Sequence, residues 1–276
     1  MSQKHFVLHL GLAKTGTTHL QRSVFPFSPT LRYVGKPHLR RRGVVLNRMR
    51  ALARREPYVP ANDRFFKNEA LLRSQQLGSN DAMLQNIRSQ FESISRADRL
   101  NLFSDEGYLR PTRVNPEAFD RRIALSNLKQ CFPLNARIDV WVTLRERNSA
   151  LRSFAVQFWY EVERLGHDAD RLINDRHDRD SAIWRALYSY FDYASLCHDL
   201  AAVFGPAHVH TLNYEAFKAD NTVATALLQR IDPRVVLLEK PGRWNVTATN
   251  QNAMPPSLEN FLERLADIDV NALYAD

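Results

Sequence analysis

A short segment near the start of the chain constrains the fold more than any other. The apolar run over residues 6–10 leads directly into Gly11, and Gly16 follows just before a helix-like segment. A buried strand, a tight glycine loop and a helix start in this order aim backbone N–H groups and the positive end of the helix dipole at one point. The segment therefore predicts a loop that binds a phosphate-sized anion.

The spacing of the loop residues indicates which kind of anion the loop is expected to bind. Gly11 and Gly16 give the Gly-x4-Gly frame of a nucleoside-triphosphate P-loop, but Thr17 stands where that motif requires lysine. The lysine of this loop, Lys14, lies inside it, beside the expected position of a diphosphate-like bridge. The order Lys-Thr-Gly-Thr-Thr over residues 14–18 resembles the 5′-phosphosulfate loop of the sulfotransferases that use 3′-phosphoadenosine-5′-phosphosulfate (PAPS).

This resemblance implies a role for each loop residue. The donor would be PAPS, and the nucleotide product would be 3′-phosphoadenosine-5′-phosphate (PAP). Lys14 would be the cation at the leaving phosphate, and the loop's amides and hydroxyls would bind the 5′-phosphate and sulfonate oxygens. The residues that offer these groups are Thr15, Gly16, Thr17 and Thr18. The family's reaction needs no metal.

A second motif follows another apolar run. Residues 139–144 predict a strand that ends at Arg145, and Ser153 follows eight positions later within a helical pattern. A guanidinium offers forked donors to a phosphate, and a serine two turns into the helix points back toward the same end. Sulfotransferases hold the 3′-phosphate of PAPS with an arginine and a serine at this spacing. The two motifs occur here in the family's order.

The rest of the chain alternates short apolar runs with helical patterns. Residues 31–35, 100–103 and 208–212 predict further strands, and residues 182–204 predict one long helix. This alternation predicts an α/β fold of the P-loop nucleotide-binding type, with a central parallel sheet flanked by helices. We expect one domain over residues 1–276, with helical insertions at about 36–99 and 160–181.

The candidates for the general base rest on position in the predicted sheet. The cytosolic branch of the family places its base after the strand that precedes the 3′-phosphate motif, which makes Glu106 the candidate here, with Asp105 beside it. Golgi-type branches place a glutamate after the second strand, where this chain has His38. Both carboxylates could instead cap a helix or pair with an arginine.

A later segment resembles the family's loop that closes over the nucleotide. Arg243 could reach the 3′-phosphate, and Trp244 could cover the adenine. A surface turn anchored by a core tryptophan explains the same residues, so both interpretations stay open.

Charge and composition bear on partners. The net charge is +8, with arginines concentrated between residues 40 and 55, which fits a rim that attracts a polyanionic donor or an acidic acceptor. We expect no nucleic acid, because no nucleic-acid motif accompanies the charge. The acceptor is expected to be a hydroxyl of a glycan, a lipid or a small molecule. With no leader-like or membrane-spanning run in the sequence, a cytoplasmic, bacterial-type enzyme without stable membrane insertion is expected.

Two other function classes compete with this interpretation. A P-loop kinase or NTPase needs lysine at position 17 and an aspartate that holds magnesium, for which Asp105 is the candidate. A nucleotide-sensing or glycan-binding module would keep the anion loop but would not need a general base.

Overall fold

Five short strands pair into one parallel sheet at the centre of the molecule. They are β1 (His5–His9), β2 (Leu31–Tyr33), β3 (Leu100–Ser104), β4 (Arg137–Leu144) and β5 (Val209–Asn213). The order across the sheet is β2-β3-β1-β4-β5, and every pair is parallel. The structure is a computed structural model, and it describes residues 3–12, 15–35, 63–110, 119–164, 168–220, 222–238 and 254–275.

Helices connect the strands and cover the sheet. Those described are α1 (Thr17–His19), α2 (Asp63–Ser74), α3 (Ala82–Ile94), α4 (Arg121–Gln130), α5 (Arg147–Arg164), α6 (Ala169–Asn174), α7 (Tyr193–Phe204), α8 (Tyr214–Ala219), α9 (Thr222–Ile231) and α10 (Pro256–Ala266). A π-helical turn over Leu20–Val24 continues α1. Further π-helical and 3₁₀ turns occupy Trp184–Tyr188 and Ser189–Phe191.

The two faces of the sheet bury separate apolar clusters, because side chains alternate along each strand. One face carries Phe6, Leu8 and Phe103, which pack under helices that include α2, α3 and α4. The other face carries Val7 and Trp141 and is covered by the segment after the glycine loop, α8 and α9. The prediction of an α/β fold with a parallel sheet between helices is therefore confirmed.

The prediction of one helix over residues 182–204 was wrong. The backbone of Asp192 leaves the helical region, with φ −74° and ψ 84°, and its side chain accepts a hydrogen bond from the Ser195 amide at 3.1 Å. Asp192 therefore caps a new helix, α7, instead of continuing the preceding turn. The organisation as one domain with two insertions stays a prediction. Within the described residues, α2 and α3 lie in the first insertion and α6 lies in the second.

The strand order decides which loops meet. Parallel strands all end at the same edge of a sheet, which is where α/β proteins bind ligands. At this carboxyl edge the glycine loop follows β1 in the centre, Asp105 follows β3 on one side, and Arg145 follows β4 on the other. Tyr214 follows β5 beyond β4.

Candidate active site

Both glycines of the loop occupy positions that a side chain would disturb. Gly16 has φ +74°, in the left-handed region, and a Cβ atom there would lie 2.9 Å from Phe217 Cε1. A Cβ atom on Gly11 would lie 2.4 Å from Thr17 Oγ1. The chain passes so close to its neighbours at these two points that only glycine fits without a shift.

The hydroxyls of Thr15 and Thr17 hold the loop together. Thr15 Oγ1 donates to the Leu12 carbonyl at 2.6 Å and lies 3.2 Å from Thr17 Oγ1. Since the Thr15 proton is already donated, Thr17 is the donor in the second bond. Both side chains are buried, whereas Thr18 is partly exposed. Among the described residues of the loop, the groups offered to an anion are chiefly the backbone N–H groups at the start of α1, which have no partner within the helix.

Arg145 is held at the end of β4 by residues from two other elements. Its guanidinium carbon lies 5.1 Å from the centre of the Tyr214 ring, and its Nε lies 4.0 Å from Glu215 Oε1. The Tyr193 hydroxyl donates to the Arg145 carbonyl at 2.8 Å. These contacts fix both the backbone and the side chain of the arginine that the sequence assigns to a phosphate.

The helix after Arg145 starts with a cap that the sequence interpretation missed. The Glu146 carboxylate accepts hydrogen bonds from the amides of Asn148 and Ser149, each at 2.7 Å. Glutamate is a less common capping residue than serine, threonine or aspartate, so the sequence pattern did not indicate a helix cap at this position. The cap fixes the start of α5, on which Ser153 lies partly buried two turns in.

One aromatic pair on α8 links the two predicted phosphate sites. Phe217 and Tyr214 are the side chains that approach Gly16, with Tyr214 Cε2 3.5 Å from the Cβ position of that glycine. The ring of Tyr214 also packs against Arg145. The glycine loop and Arg145 therefore rest on the same short helix. Aromatic residues directly after a strand were the available signal for this link, but local spacing does not reveal what they contact.

The two adjacent carboxylates after β3 differ in environment. Asp105 is fully buried, its amide donates to the His9 carbonyl at 3.1 Å, and its Oδ1 accepts from the Gly107 amide at 2.8 Å. Glu106 is partly exposed. Asp105 thus forms a tight turn that presents the next residue, Glu106, at the carboxyl edge.

Two tyrosines lie around this turn. Burial is the main cause that raises the pKa of Tyr33 well above its usual range, and the charges of Asp105 and Glu106 raise it further. The hydroxyl of Tyr190 points at the Glu106 carbonyl over a long contact of 3.5 Å. Tyr33 ends β2, so the second and third strands meet at the position of the candidate base.

Several predicted site residues lie outside the described part of the chain. They are Lys14, His38, Arg243 and Trp244. Among the described residues, no group of three or more histidines, cysteines or carboxylates is arranged to hold a metal ion. Within the same residues, no helix has both the length and the apolar character needed to cross a membrane.

Comparison with known proteins gives a structural likeness and no sequence match. No protein-family model matches the chain, and no curated protein matches it. A solved sulfotransferase from Alicyclobacillus acidocaldarius matches over 100% of both chains, with 16% sequence identity and a TM-score of 0.50. A sulfotransferase domain from the curacin biosynthetic pathway covers 84% of this chain and 72% of its own, with 14% identity and a TM-score of 0.37, too low to support an argument. The first likeness shows that this chain has the fold of the Alicyclobacillus sulfotransferase.

Proposed function

We propose that this protein transfers a sulfuryl group from PAPS to the hydroxyl of an acceptor. The observation that carries the proposal is that Tyr214 contacts both elements: with Phe217 it packs against the glycine loop, and its ring packs against Arg145. It brings two anion-binding elements together at one edge of the sheet. A nucleotide with phosphates at both its 5′ and 3′ positions matches such a pair, whereas a nucleotide with a 5′-phosphate alone would leave Arg145 unused.

The loop and Arg145 bind different phosphates of the donor. The N–H groups around Gly16, with Lys14, Thr17 and Thr18, bind the 5′-phosphate and the sulfonate oxygens, and Thr15 keeps the loop closed. Arg145 and Ser153 bind the 3′-phosphate, and Arg243 adds a second cation to it. PAP stays in the same contacts after transfer.

The chemical step is an in-line displacement at sulfur. The acceptor oxygen forms a bond to sulfur while the bond from sulfur to the 5′-phosphate oxygen breaks, and that oxygen leaves with the electron pair. Lys14 offsets the negative charge that grows on the leaving phosphate. The proton of the acceptor hydroxyl passes to the general base.

Glu106 fits the base better than Asp105 does. A base must reach the acceptor and must be free to take up a proton in the transition state. Asp105 is fully buried and its Oδ1 is committed to the Gly107 amide, whereas Glu106 is partly exposed at the carboxyl edge. Thr17, which stands where a P-loop kinase requires lysine, weighs against the kinase alternative. His38 is the second candidate for the base.

The acceptor lies on the β3 side of the loop in this proposal, next to Glu106. The chain between β2 and β3 is expected to supply that side, and the charge of its arginines over residues 40–55, which lie outside the described residues, would favour an acceptor with acidic groups. A carbohydrate hydroxyl is the first choice, and a lipid or small-molecule alcohol is the second. A chito-oligosaccharide and an alkyl glucoside, offered with radiolabelled PAPS, are suitable probes for the two classes.

Calorimetry with PAP, AMP and ATP tests the donor assignment. A charge-assisted hydrogen bond contributes roughly 1.5–3 kcal/mol, so two such bonds, from Arg145 and Ser153, should make PAP bind at least ~100-fold more tightly than AMP. Arg145→Ala should remove most of that preference. Arg152→Ala is the matched control, because Arg152 lies on α5 and donates to the Leu262 carbonyl at 2.8 Å, away from the proposed site. Equal affinity of the native protein for PAP and AMP would exclude the assignment, and a preference for ATP would favour a kinase.

A further inference from the structure

A buried polar network lies directly beneath the glycine loop. Ser104 Oγ is 2.8 Å from His9 Nδ1 and accepts a hydrogen bond from Gln21 Nε2, also at 2.8 Å. His9 and Ser104 are 0% exposed, and Gln21 is 2% exposed. The three residues belong to the strand that enters the loop, the helical segment that leaves it, and the strand that ends at the Asp105 turn.

The surroundings of the network are aromatic. The His9 ring centre lies 4.4 Å from that of Trp141 and 5.4 Å from that of Phe25. Each buried polar group left without a partner costs roughly 1–3 kcal/mol, so polar residues at these positions tolerate only arrangements that keep their bonds. Apolar side chains at these positions would allow β3 to shift slightly against β1, whereas the hydrogen bonds of this network restrict such shifts.

Only the Nδ1 edge of the His9 ring takes part in the hydrogen-bond network. Burial lowers the pKa of His9 to about 3, so the ring is neutral at physiological pH. Its Nδ1 faces Ser104, while its Nε2 has no hydrogen-bond partner among the residues that the structure describes. The Ser104 hydroxyl either donates to Nδ1 or accepts from it, and both tautomers use the same edge.

The backbone extends this coupling to the candidate base. His9 pairs with Ser104 in the β1–β3 register, and the amide of Asp105 donates to the His9 carbonyl at 3.1 Å. Ser104 is separated from Glu106 by Asp105 alone. A shift at the Ser104 side chain is therefore passed to Glu106 through the tight turn that Asp105 forms with Gly107.

On the basis of the proposed function, we propose that His9, Ser104 and Gln21 form a positioning network that holds the Glu106 turn at a fixed distance from the glycine loop. The network touches neither donor nor acceptor. It acts by keeping the base aligned with the sulfur for in-line transfer, a reaction in which a displacement of about 1 Å costs about 10²-fold in rate.

Two substitutions at His9 separate the network from simple packing. Both His9→Asn and His9→Gln remove the ring and its aromatic contacts. The asparagine amide reaches the position of Nδ1 and can present either N–H or C=O to Ser104, whereas the glutamine amide reaches the position of Nε2. We expect His9→Gln to lower kcat at least ~30-fold, and His9→Asn to stay within ~5-fold of the native kcat. PAP affinity should change less than ~3-fold in both variants.

Ser104→Ala is the second variant, because it removes the hydroxyl that His9 and Gln21 share and changes little volume. It should lower kcat as His9→Gln does. Hydrogen exchange provides a readout that needs no acceptor: the amides of residues 104–107 should exchange at least ~10-fold faster in His9→Gln and Ser104→Ala than in His9→Asn. Asp139→Asn, at the opposite end of the sheet, is the control for a general loss of stability: exchange at residues 104–107 should rise no more than at other core amides, and kcat should be unchanged.

The outcomes distinguish this inference from the proposed function. Equal exchange in the two His9 variants, equal kcat in them, or a parallel loss of PAP affinity and kcat would overturn the positioning network. If native protein neither binds PAP nor transfers label to the chito-oligosaccharide or the alkyl glucoside, the proposed function fails. The exchange difference between His9→Gln and His9→Asn would still decide whether the network fixes the turn.

Discussion

The two ends of the sheet treat buried polar groups in opposite ways. At the amino end, the fully buried carboxylate of Asp139 uses both oxygens: Oδ2 binds His5 Nε2 at 2.6 Å and Arg137 Nε at 2.9 Å. Its Oδ1 binds His208 Nδ1 at 3.1 Å and His210 Nε2 at 3.0 Å. Burial by itself raises the pKa of Asp139, but these four hydrogen bonds outweigh it and hold the pKa well below its usual range.

At the carboxyl end of the sheet, some buried hydrogen-bonding atoms have no partner in the part of the chain that the structure describes. Asp139, Trp141 and Thr143 lie on the same face of β4, at successive alternate positions. Thr143 Oγ1 and His9 Nε2 are buried without a hydrogen-bond partner among the residues described. The amino end thus saturates its polar atoms, which favours stability, and the carboxyl end leaves some unsatisfied at the edge where the proposed ligand binds. The comparison predicts that substitutions at the carboxyl end change turnover, and that those at the amino end change stability.

The largest effect on turnover is expected at Glu106. Glu106→Gln keeps the size of the side chain but cannot accept the acceptor proton, so kcat should fall roughly 10²–10⁴-fold while PAP binding is retained. The acidic limb of the pH profile should also disappear, because no carboxylate is left to be protonated. An active Glu106→Gln with an inactive His38→Ala would instead place the base after β2.

Lys14→Ala should lower turnover at least ~10²-fold without unfolding the protein, because it removes the main cation at the leaving phosphate. Steady-state kinetics and circular dichroism on the same sample check both parts. EDTA should change the rate little if the charge is carried by the lysine. Turnover close to native would remove Lys14 from the mechanism and leave the loop amides as the main donors.

Asp139→Asn tests the amino end. Removing one partner of a buried ion pair costs roughly 3–5 kcal/mol, and the partial exposure of the histidines and Arg137 reduces the expected loss in free energy of unfolding to about 2 kcal/mol. Urea unfolding measures this loss, and kcat of the folded variant should equal the native value. A loss of kcat without a loss of stability would contradict the comparison between the two ends.

The smallest expected effect is the pH dependence of that loss. Because the folded pKa of Asp139 is depressed below the unfolded value of ~3.9, its contribution is present above that value and is lost as the pH falls toward the folded pKa. The difference in free energy of unfolding between native protein and Asp139→Asn should therefore be about 1 kcal/mol smaller at about pH 3 than at about pH 5. An unchanged difference would mean that folding does not shift the pKa of Asp139, and a larger difference at about pH 3 would mean that the carboxyl is protonated in the fold.

Local patterns in the sequence predicted most of the fold. The patterns placed all five strands within two residues of their observed bounds, because the central strands are largely apolar and the edge strands β2 and β5 each keep one buried leucine, Leu31 and Leu212. The helix break at Asp192 was missed because apolar spacing continues through it, and the cap that starts α7 competes with the helix only locally.

Sequence patterns point to the site where one segment carries it. The glycine loop and the Arg145 motif are each local, and their described residues lie at the carboxyl edge of the sheet, while their roles stay predictions. The contact between Tyr214 and both motifs, and the bond between His9 and Ser104, join residues that are distant in the chain: His9 and Ser104 are 95 positions apart. Such pairs depend on the strand order and register, which no single segment encodes.

The central place of β1 also gives the glycine loop two separate flanks. Strands β4 and β5 bring Arg145 and Tyr214 to one flank of the loop, and strands β2 and β3 bring Tyr33 and Glu106 to the other. Exchange of the segment between β2 and β3 would leave the contacts between the glycine loop, Tyr214 and Arg145 in place. If the proposed function holds, a lineage with this strand order can acquire new acceptors while the nucleotide site is retained.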